Sequence, residues 1–180
     1  LFGEDLADLL TTAETVQRIY NSNYKFFRPP EKPHVTAVPG DKKVTLYWDD
    51  VSEESNDPLT GKDFEGYVIY RSTDPSFDDI QTISDGRGNA FLSTPLKSVD
   101  GTECKWDIHN GWKGYHPVPY MGRGIQYYMG DDKGLVHSYV DSNNVINGQT
   151  YYYAVVAFDH GDSVGIPPTE TTKKITDNIG

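Results

Sequence analysis

Hydrophobic side chains that recur at every second position are the clearest pattern in this chain. In residues 148–159 they are Tyr151, Tyr153, Val155 and Ala157. Side chains two residues apart on a β-strand point to the same side of a sheet, so the pattern predicts a strand that buries these four together. The same alternation recurs in residues 44–49 and 67–71. Three such strands predict a mainly β fold with antiparallel sheets.

Four segments together resemble the fibronectin type III family. Residues 33–38, 44–49, 67–71 and 148–159 match its strands A, B, C and F, and the resemblance covers residues 33–72 and 137–176. It implies a fibronectin type III/immunoglobulin-like antiparallel β-sandwich, with Trp48 and Tyr67 in the core. It also implies a tyrosine corner at Tyr151, whose hydroxyl would bond to upstream backbone. Such sandwiches carry many unrelated functions, so the resemblance implies little more than a spacer or interaction module.

The N-terminal segment predicts a helix over residues 4–22, because apolar residues recur there at spacings of three and four. They are Leu6, Leu9, Leu10, Ala13, Val16 and Tyr20. This stripe is expected to pack either on the sandwich or on a preceding domain. Three prolines in residues 29–33 predict a stiff, extended connector. The domain boundary therefore falls between an N-terminal unit, residues 1–32, and a sandwich, residues 33–176.

The resemblance breaks down in the middle of the chain. Strand E is predicted at residues 137–141, which leaves an enlarged insertion over residues 73–136 between strands C and E. Long structureless loops are uncommon in compact domains. We therefore expect this insertion to fold back against the sheet, with short extra strands at residues 80–83 and 126–129. The last strand, G, is predicted at residues 169–176.

Charge and cysteine content exclude several classes of function. The formal net charge of −11 argues against sequence-independent nucleic-acid binding and against an anionic membrane surface. No apolar run approaches the roughly 20 residues that span a bilayer. The single cysteine, Cys104, excludes an internal disulfide framework. A single cysteine does not indicate the cytosol, because many bacterial exported proteins avoid cysteine. The acidic, Tyr-, Asn- and Gly-rich composition fits an extracellular or cell-surface setting at least as well, and that setting is the one we expect. We expect the chain to be a piece of a longer polypeptide.

No pattern of catalytic residues stands out, so the sequence predicts no enzyme. The five histidines are dispersed, and no Gly-x-Ser-x-Gly elbow accompanies them. A Cys104–His109 pair is conceivable, but an ordinary thiol is the simpler interpretation. The paired carboxylates are expected in solvated loops of so acidic a chain. The glycine-rich residues 85–89 lack the Lys of a phosphate loop and indicate a turn.

Two acidic turns are candidates for a structural calcium ion. Calcium takes six to eight hard oxygen ligands, which loop carboxylates and carbonyls supply. The candidate ligands are Asp74, Asp78, Asp79, Asp131 and Asp132. Neither turn matches the twelve-residue calcium loop of helix–loop–helix proteins, and simply hydrated turns are the alternative.

The insertion also carries six aromatic residues that could bind a ligand or partner, because Trp and Tyr are favoured at binding surfaces. They are Trp106, Trp112, Tyr115, Tyr120, Tyr127 and Tyr128. The alternative is that these rings form a satellite core that holds the insertion onto the sandwich.

The sequence thus favours a non-catalytic structural or adhesive interaction module of a larger secreted or cell-surface protein. It would mediate contacts with protein partners or neighbouring domains of the same polypeptide. A carbohydrate-binding accessory module that uses the insertion aromatics is the alternative function.

Overall fold

A computed structural model describes residues 6–84, 90–120 and 124–173 of the chain. The fold is mainly β, with antiparallel sheets and one N-terminal helix, as the sequence predicts. Within the described ranges the α-helix and strands are α1 (Leu6–Asn21), β1 (Val35–Gly40), β2 (Lys43–Trp48), β3 (Phe64–Ser72), β4 (Gln81–Ser84), β5 (Ala90–Ser93), β6 (Lys105–Asp107), β7 (Tyr115–Pro119), β8 (Gln126–Tyr128), β9 (Ser138–Asp141) and β10 (Tyr152–Asp159). Two short 3-10 helices lie at Val51–Glu54 and Asp78–Ile80.

The described strands form two three-stranded sheets and two hairpins. One sheet has the order β1-β2-β9 and the other β10-β3-β6, while β4 pairs with β5 and β7 with β8. Every pairing is antiparallel. The insertion contributes both hairpins and also β6, which extends the second sheet by pairing with β3. The two extra strands expected in the insertion are present as β4 and β8.

The first core takes side chains from both three-stranded sheets. Its buried members are Leu46, Trp48, Phe64, Tyr67, Ile69, Leu96, Cys104, Val155 and Ala157. Leu46 and Trp48 alternate on β2, as Tyr67 and Ile69 do on β3, so the period of two explains how both strands reach this core. The rings of Trp48 and Tyr67 meet edge to face with centroids 5.8 Å apart. A fully buried aliphatic side chain of this core, such as Leu46 or Ile69, contributes about 1.5–3 kcal/mol to the free energy of unfolding.

A second core lies on the opposite side of β3 and β10. Its buried members are Val68, Tyr70, Phe77, Tyr120, Tyr127, Met129, Ala154, Val156 and Phe158. The sequence predicts one buried side for the strand in residues 148–159, but the structure buries both sides of β10, so that prediction is incomplete. The insertion is the reason, because its Phe77, Tyr120, Tyr127 and Met129 cover the side that would otherwise face water. The expectation that the insertion folds back against the sheet is confirmed.

Tyr151 lies just before β10, apart from Trp48 and Tyr67, which is a departure from its expected place in the core. It is half-buried, and the Arg71 guanidinium carbon lies 5.3 Å from its ring centroid. Its hydroxyl accepts a hydrogen bond from the Ile146 amide at 3.2 Å and donates to the Asn144 carbonyl at 3.4 Å. The predicted bond from the Tyr151 hydroxyl to upstream backbone is therefore confirmed.

The predicted last strand is reduced to a single bridge within the described residues, between Phe158 and Glu170. The Thr171 amide donates to the Ala157 carbonyl, but the Ala157 amide donates in return to the Thr171 hydroxyl and not to a carbonyl. Because a side-chain hydroxyl accepts this bond in place of a backbone carbonyl, the regular hydrogen-bond ladder between the two segments is interrupted. Residues 174–176 of the prediction lie outside the described residues.

Candidate functional site

Helix α1 rests on the domain through its polar side. Arg18 forms an ion pair with Asp162, in the loop that follows β10, and its other guanidinium nitrogen lies 3.5 Å from the Leu59 carbonyl. Thr11 and Thr15 pass over Gly165, where an added Cβ would lie 2.6 Å from the Thr15 hydroxyl. Glycine at position 165 therefore permits the close approach of the helix.

Asp162 holds this loop and the helix together. One of its carboxylate oxygens accepts hydrogen bonds from the amides of Val164, Gly165 and Ile166, at 2.8–3.0 Å, and the other binds Arg18. Burial alone would raise the pKa of Asp162, but these amides and the guanidinium lower it to about 2. The anchor is therefore charged at every physiological pH.

The apolar side of α1 faces away from the domain and forms what we term the helix surface: Leu9, Leu10, Val16 and Tyr20. These four side chains are 54–61 % exposed. Tyr24 and Phe26 continue the exposed apolar surface into the connector, each at 65 %. Of the two expected locations for the stripe, packing on the sandwich is therefore wrong. The other, packing on a preceding domain, is untested.

The connector is hydrogen-bonded to the loop between β2 and β3. The Arg28 amide donates to the Asp57 carboxylate at 2.7 Å, and the Glu31 amide donates to the Ser55 hydroxyl at 2.7 Å. The buried Ser52 hydroxyl donates to the Glu31 carbonyl at 2.6 Å. These bonds anchor residues 28–31, where the prolines also stiffen the chain.

A second candidate site, which we term the insertion cavity, has a volume of about 450 Å³. It lies between β3 and β6 on one side and the two hairpins of the insertion on the other. Aromatic side chains provide much of its lining: Tyr70, Tyr115, Tyr127 and Tyr128. The remaining apolar lining comes from Ile83, Leu92, Pro95 and Ile125, and the polar lining from Ser93, Glu103, Lys105 and Gln126.

Lys105 is the buried cation of this cavity. Its ammonium nitrogen lies 3.9 Å from the ring centroid of Tyr127 and 4.1 Å from that of Phe158, and it donates to the Tyr128 carbonyl. Rings and a carbonyl thus solvate the charge in place of water. Burial lowers the pKa of Lys105 to about 8, against the opposing influence of Glu170 and other carboxylates.

The six aromatic residues predicted as a binding group do not form one platform. Tyr115, Tyr127 and Tyr128 line the insertion cavity. Tyr120 belongs to the second core, and Trp106 packs on the first, with its ring 5.4 Å from that of Tyr139.

Trp112 lies apart from the other five aromatic residues and stacks with two imidazoles. Its ring centroid lies 5.3 Å from that of His116 and 4.9 Å from that of His160. The satellite-core interpretation therefore describes Trp106, Tyr120 and Tyr127, the last of which also lines the cavity. Ligand binding is untested for Tyr115 and Tyr128.

The first predicted calcium turn is held by its own donors. Asp79 accepts hydrogen bonds from the Ser72 hydroxyl and from the amide and hydroxyl of Thr73. Asp74 accepts from the amides of Ser76 and Asp78, at 3.2 and 3.4 Å. Burial alone would raise the pKa of Asp79, but the donors from Ser72 and Thr73 lower it.

The second predicted calcium turn wraps around Asp107. Asp132 accepts from the amides of Asn110 and Gly111, while its own amide donates to the buried Asp107 carboxylate at 2.5 Å. Asp131 accepts from the Tyr128 hydroxyl and pairs with the Lys133 ammonium. Across residues 6–84, 90–120 and 124–173, no three His, Cys, Asp or Glu side chains are grouped so that they could hold a metal ion.

The candidate nucleophile Cys104 is buried in the first core. Burial raises the pKa of its thiol to about 11, and Tyr139 is the side chain that hydrogen-bonds it. A thiol in this state is a poor nucleophile, because the thiolate is the reactive form. The glycine-rich residues 85–89 lie outside the described residues.

Sequence reasoning missed the residues that complete the cavity: Tyr70, Glu103, Lys105 and Gln126. One signal was available. Trp106 is flanked by Lys105 and Asp107, so on a strand whose Trp enters the first core, both charged neighbours must face the other way. Their burial depends on hairpins that are distant in sequence, and local pattern does not report it.

Comparison with models of known protein families, with curated proteins and with solved structures gave no match in any of the three. Among the described residues, no helix has the length and apolar character that a membrane crossing requires.

Proposed function

We propose that this chain is a non-catalytic interaction module of a larger secreted or cell-surface protein and acts through protein–protein contacts. Its framework would be a fibronectin type III-like sandwich. Support comes from the strand order, since β1-β2-β9 corresponds to strands A-B-E, and β10-β3 to F-C with β6 added at the edge. The upstream bonds of the Tyr151 hydroxyl support the same assignment.

The observation that carries the proposal is the orientation of α1. A surface helix in a self-contained domain turns its apolar side inward, whereas here Arg18, Thr11 and Thr15 face the domain and the helix surface faces water. Contiguous exposed apolar residues mark interaction sites in folded proteins. The rigid connector supports a role in which helix orientation matters.

The partner best suited to the helix surface is a protein with an apolar groove bordered by Lys and Arg. An amphipathic helix binds such a groove through its apolar side. The exposed Glu14 and the chain's formal net charge of −11 complement a basic border. A second copy of the chain carries the same charge, so its docking would proceed against repulsion.

Hydrogen exchange of the helix amides tests the proposal. Exchange at residues 9–20 is measured in this chain and in the longer polypeptide that contains it. We expect slower exchange in the longer polypeptide, loss of that slowing in Val16→Glu, and no loss in Val99→Glu, which makes the same substitution at an exposed residue of the insertion. Equal exchange in both contexts would contradict the proposal. A dimer of the chain alone that Val16→Glu dissociates would identify a second copy as the occupant.

A further inference from the structure

The insertion cavity has the size of a small-molecule site, and the proposed role of the helix does not use it. Its volume of about 450 Å³ lies within the roughly 300–1,000 Å³ of known ligand pockets. The sheet supplies its floor through Tyr70 and Lys105, and the hairpins supply its sides. An apolar lining with a few polar groups is the usual composition of such sites.

Flat aromatic surface stands at the edge of the cavity. Tyr115 is 69 % exposed, and its ring meets that of Tyr128 edge to face, with centroids 5.3 Å apart. The two residues are partners across the β7–β8 hairpin, so the strands hold both rings in place. A ring fixed in this way presents its face to a ligand at little cost in side-chain entropy. The C–H face of a sugar ring packs on such a surface.

Two side chains bring polar groups to the cavity wall, Glu103 and Gln126. Within the described ranges, neither the Glu103 carboxylate nor the Gln126 side-chain amide has a protein hydrogen-bond partner, and both line the cavity. The carboxylate accepts hydrogen bonds, and the amide both donates and accepts. Sugar hydroxyls, which donate and accept, match this pair.

The charges of the cavity favour a ligand without net charge. Glu103 is an acid and Lys105 a base, so the lining carries opposite charges. The ammonium of Lys105 already contacts two rings and the Tyr128 carbonyl. Glu103 and the chain's net charge of −11 repel an acidic ligand.

We propose that the insertion cavity binds an uncharged pyranose sugar, with one face of the sugar packed on Tyr115. Hydroxyls of the sugar donate to the Glu103 carboxylate and exchange hydrogen bonds with the Gln126 amide. The site is independent of the helix surface, so either proposal can fail without the other.

Amide chemical-shift titration of the ¹⁵N-labelled chain tests this proposal. The probes are cellobiose, maltose, lactose and N,N′-diacetylchitobiose. We expect saturable shifts from at least one of them, concentrated at residues 115, 126 and 128. Tyr115→Ala should weaken that binding by about tenfold, since it removes the stacking surface. Tyr115→Phe should retain it, because the ring remains.

Two controls keep the test decisive. Tyr47→Ala removes a tyrosine that is 51 % exposed on β2, away from the insertion, and should leave binding unchanged. Tyr115 is exposed, so its substitution should leave the fold intact, which the same spectra report. Absence of saturable shifts with all four sugars would overturn the proposal. So would undiminished binding in Tyr115→Ala or, in a separate titration with two monosaccharides, tighter binding of glucuronic acid than of glucose.

Discussion

The indole of Trp112 lies parallel to the imidazole of His160, with ring centroids 4.9 Å and planes 10° apart. The imidazole of His116 also stacks with this indole, with centroids 5.3 Å and planes 15° apart. Trp112 and His116 belong to the insertion, whereas His160 directly follows β10. The stack therefore ties the insertion to the loop that also anchors the helix.

This stack should weaken in acid. Burial lowers the pKa of both histidines, although Asp162 opposes the shift in each. The unfolded chain, with a histidine pKa of about 6.5, then takes up protons before the folded chain does, so stability falls as the pH drops below that value. We expect His160→Phe, which keeps a stacked ring, to lose part of this dependence. Urea unfolding at pH 7 and pH 5 measures the difference.

His109→Gln is the control, because His109 is exposed and lies outside the stack. This substitution should leave the difference in the free energy of unfolding between pH 7 and pH 5 unchanged. If His160→Phe keeps the full pH dependence of the parent chain, burial of the stacked imidazoles is not its source.

The environment of Asp159 predicts that stability falls as pH rises, which is the opposite of the dependence expected from the histidines. It is 2 % exposed at the end of β10, and burial, reinforced by Asp63 and Asp57, raises its pKa to about 8 despite hydrogen bonds from Thr169. Its folded-state pKa lies above the unfolded value, so its contribution to stability is complete below pH 4 and is lost as pH rises through 8. Asp159→Asn should reduce this fall in the free energy of unfolding with pH. A single titrating group can produce a slope of at most about 1.4 kcal/mol per pH unit.

Urea unfolding between pH 6 and pH 9 checks this expectation. An Asn amide can still accept from the Thr169 amide, so the substitution retains that bond. Asp50→Asn, at an exposed aspartate, is the matched control and should follow the parent chain. Parallel pH profiles for Asp159→Asn and the parent chain would show that Asp159 is ionised throughout.

The strands could be predicted from sequence because β2, β3 and β10 meet a shared core with every second residue. The burial of both sides of β10 could also have been predicted from sequence. Four consecutive apolar residues, as in strands covered on both sides, are present there: Val155, Val156, Ala157 and Phe158. That signal does not say what covers the second side. Lys105 looks like an ordinary charged residue until hairpins on both sides of it in sequence close over it.

The helix shows a different limit of sequence reasoning. Its periodicity predicted the stripe that includes Val16 and Tyr20, but the rule assumes that an apolar side packs inward. The orientation is set by contacts such as Arg18 with Asp162, which are 144 residues apart. A pairing over that separation leaves no local pattern in one sequence.

Chelators should not change the stability of this chain. The carboxylates of Asp79 and Asp132 already accept hydrogen bonds from neighbouring amides and hydroxyls. A calcium ion at about 100 times its Kd would add about 2.7 kcal/mol, or roughly 5–10 °C in Tm. We expect Tm in EDTA and in millimolar calcium to agree closely. A calcium-dependent rise in Tm that Asp79→Asn or Asp132→Asn removes would establish the ion.

Glu170 should be one of the costliest polar residues to disturb. Its side chain is 5 % exposed, and one oxygen accepts from the hydroxyls of Tyr70 and Tyr127, each at 2.7 Å, while the other pairs with Lys173 at 2.9 Å. Burial alone would raise the pKa of Glu170, but Lys173, Lys105 and the two hydroxyls hold it below its usual value. The network thus keeps a buried carboxylate ionised between the sheet and the insertion.

Tyr127→Phe removes one donor to this charge and should lower the free energy of unfolding by about 1.5–3 kcal/mol at pH 7. Tyr128→Phe, next in sequence, removes a hydroxyl that binds the half-exposed Asp131 and should cost less than about 1 kcal/mol. Because Glu170 contributes stability above its unfolded pKa and loses it as pH falls, the gap between the variants should shrink near pH 3. Urea unfolding at both pH values measures it. Equal costs for the two variants at pH 7 would mean that the hydroxyl of Tyr127 does not stabilise a charged Glu170.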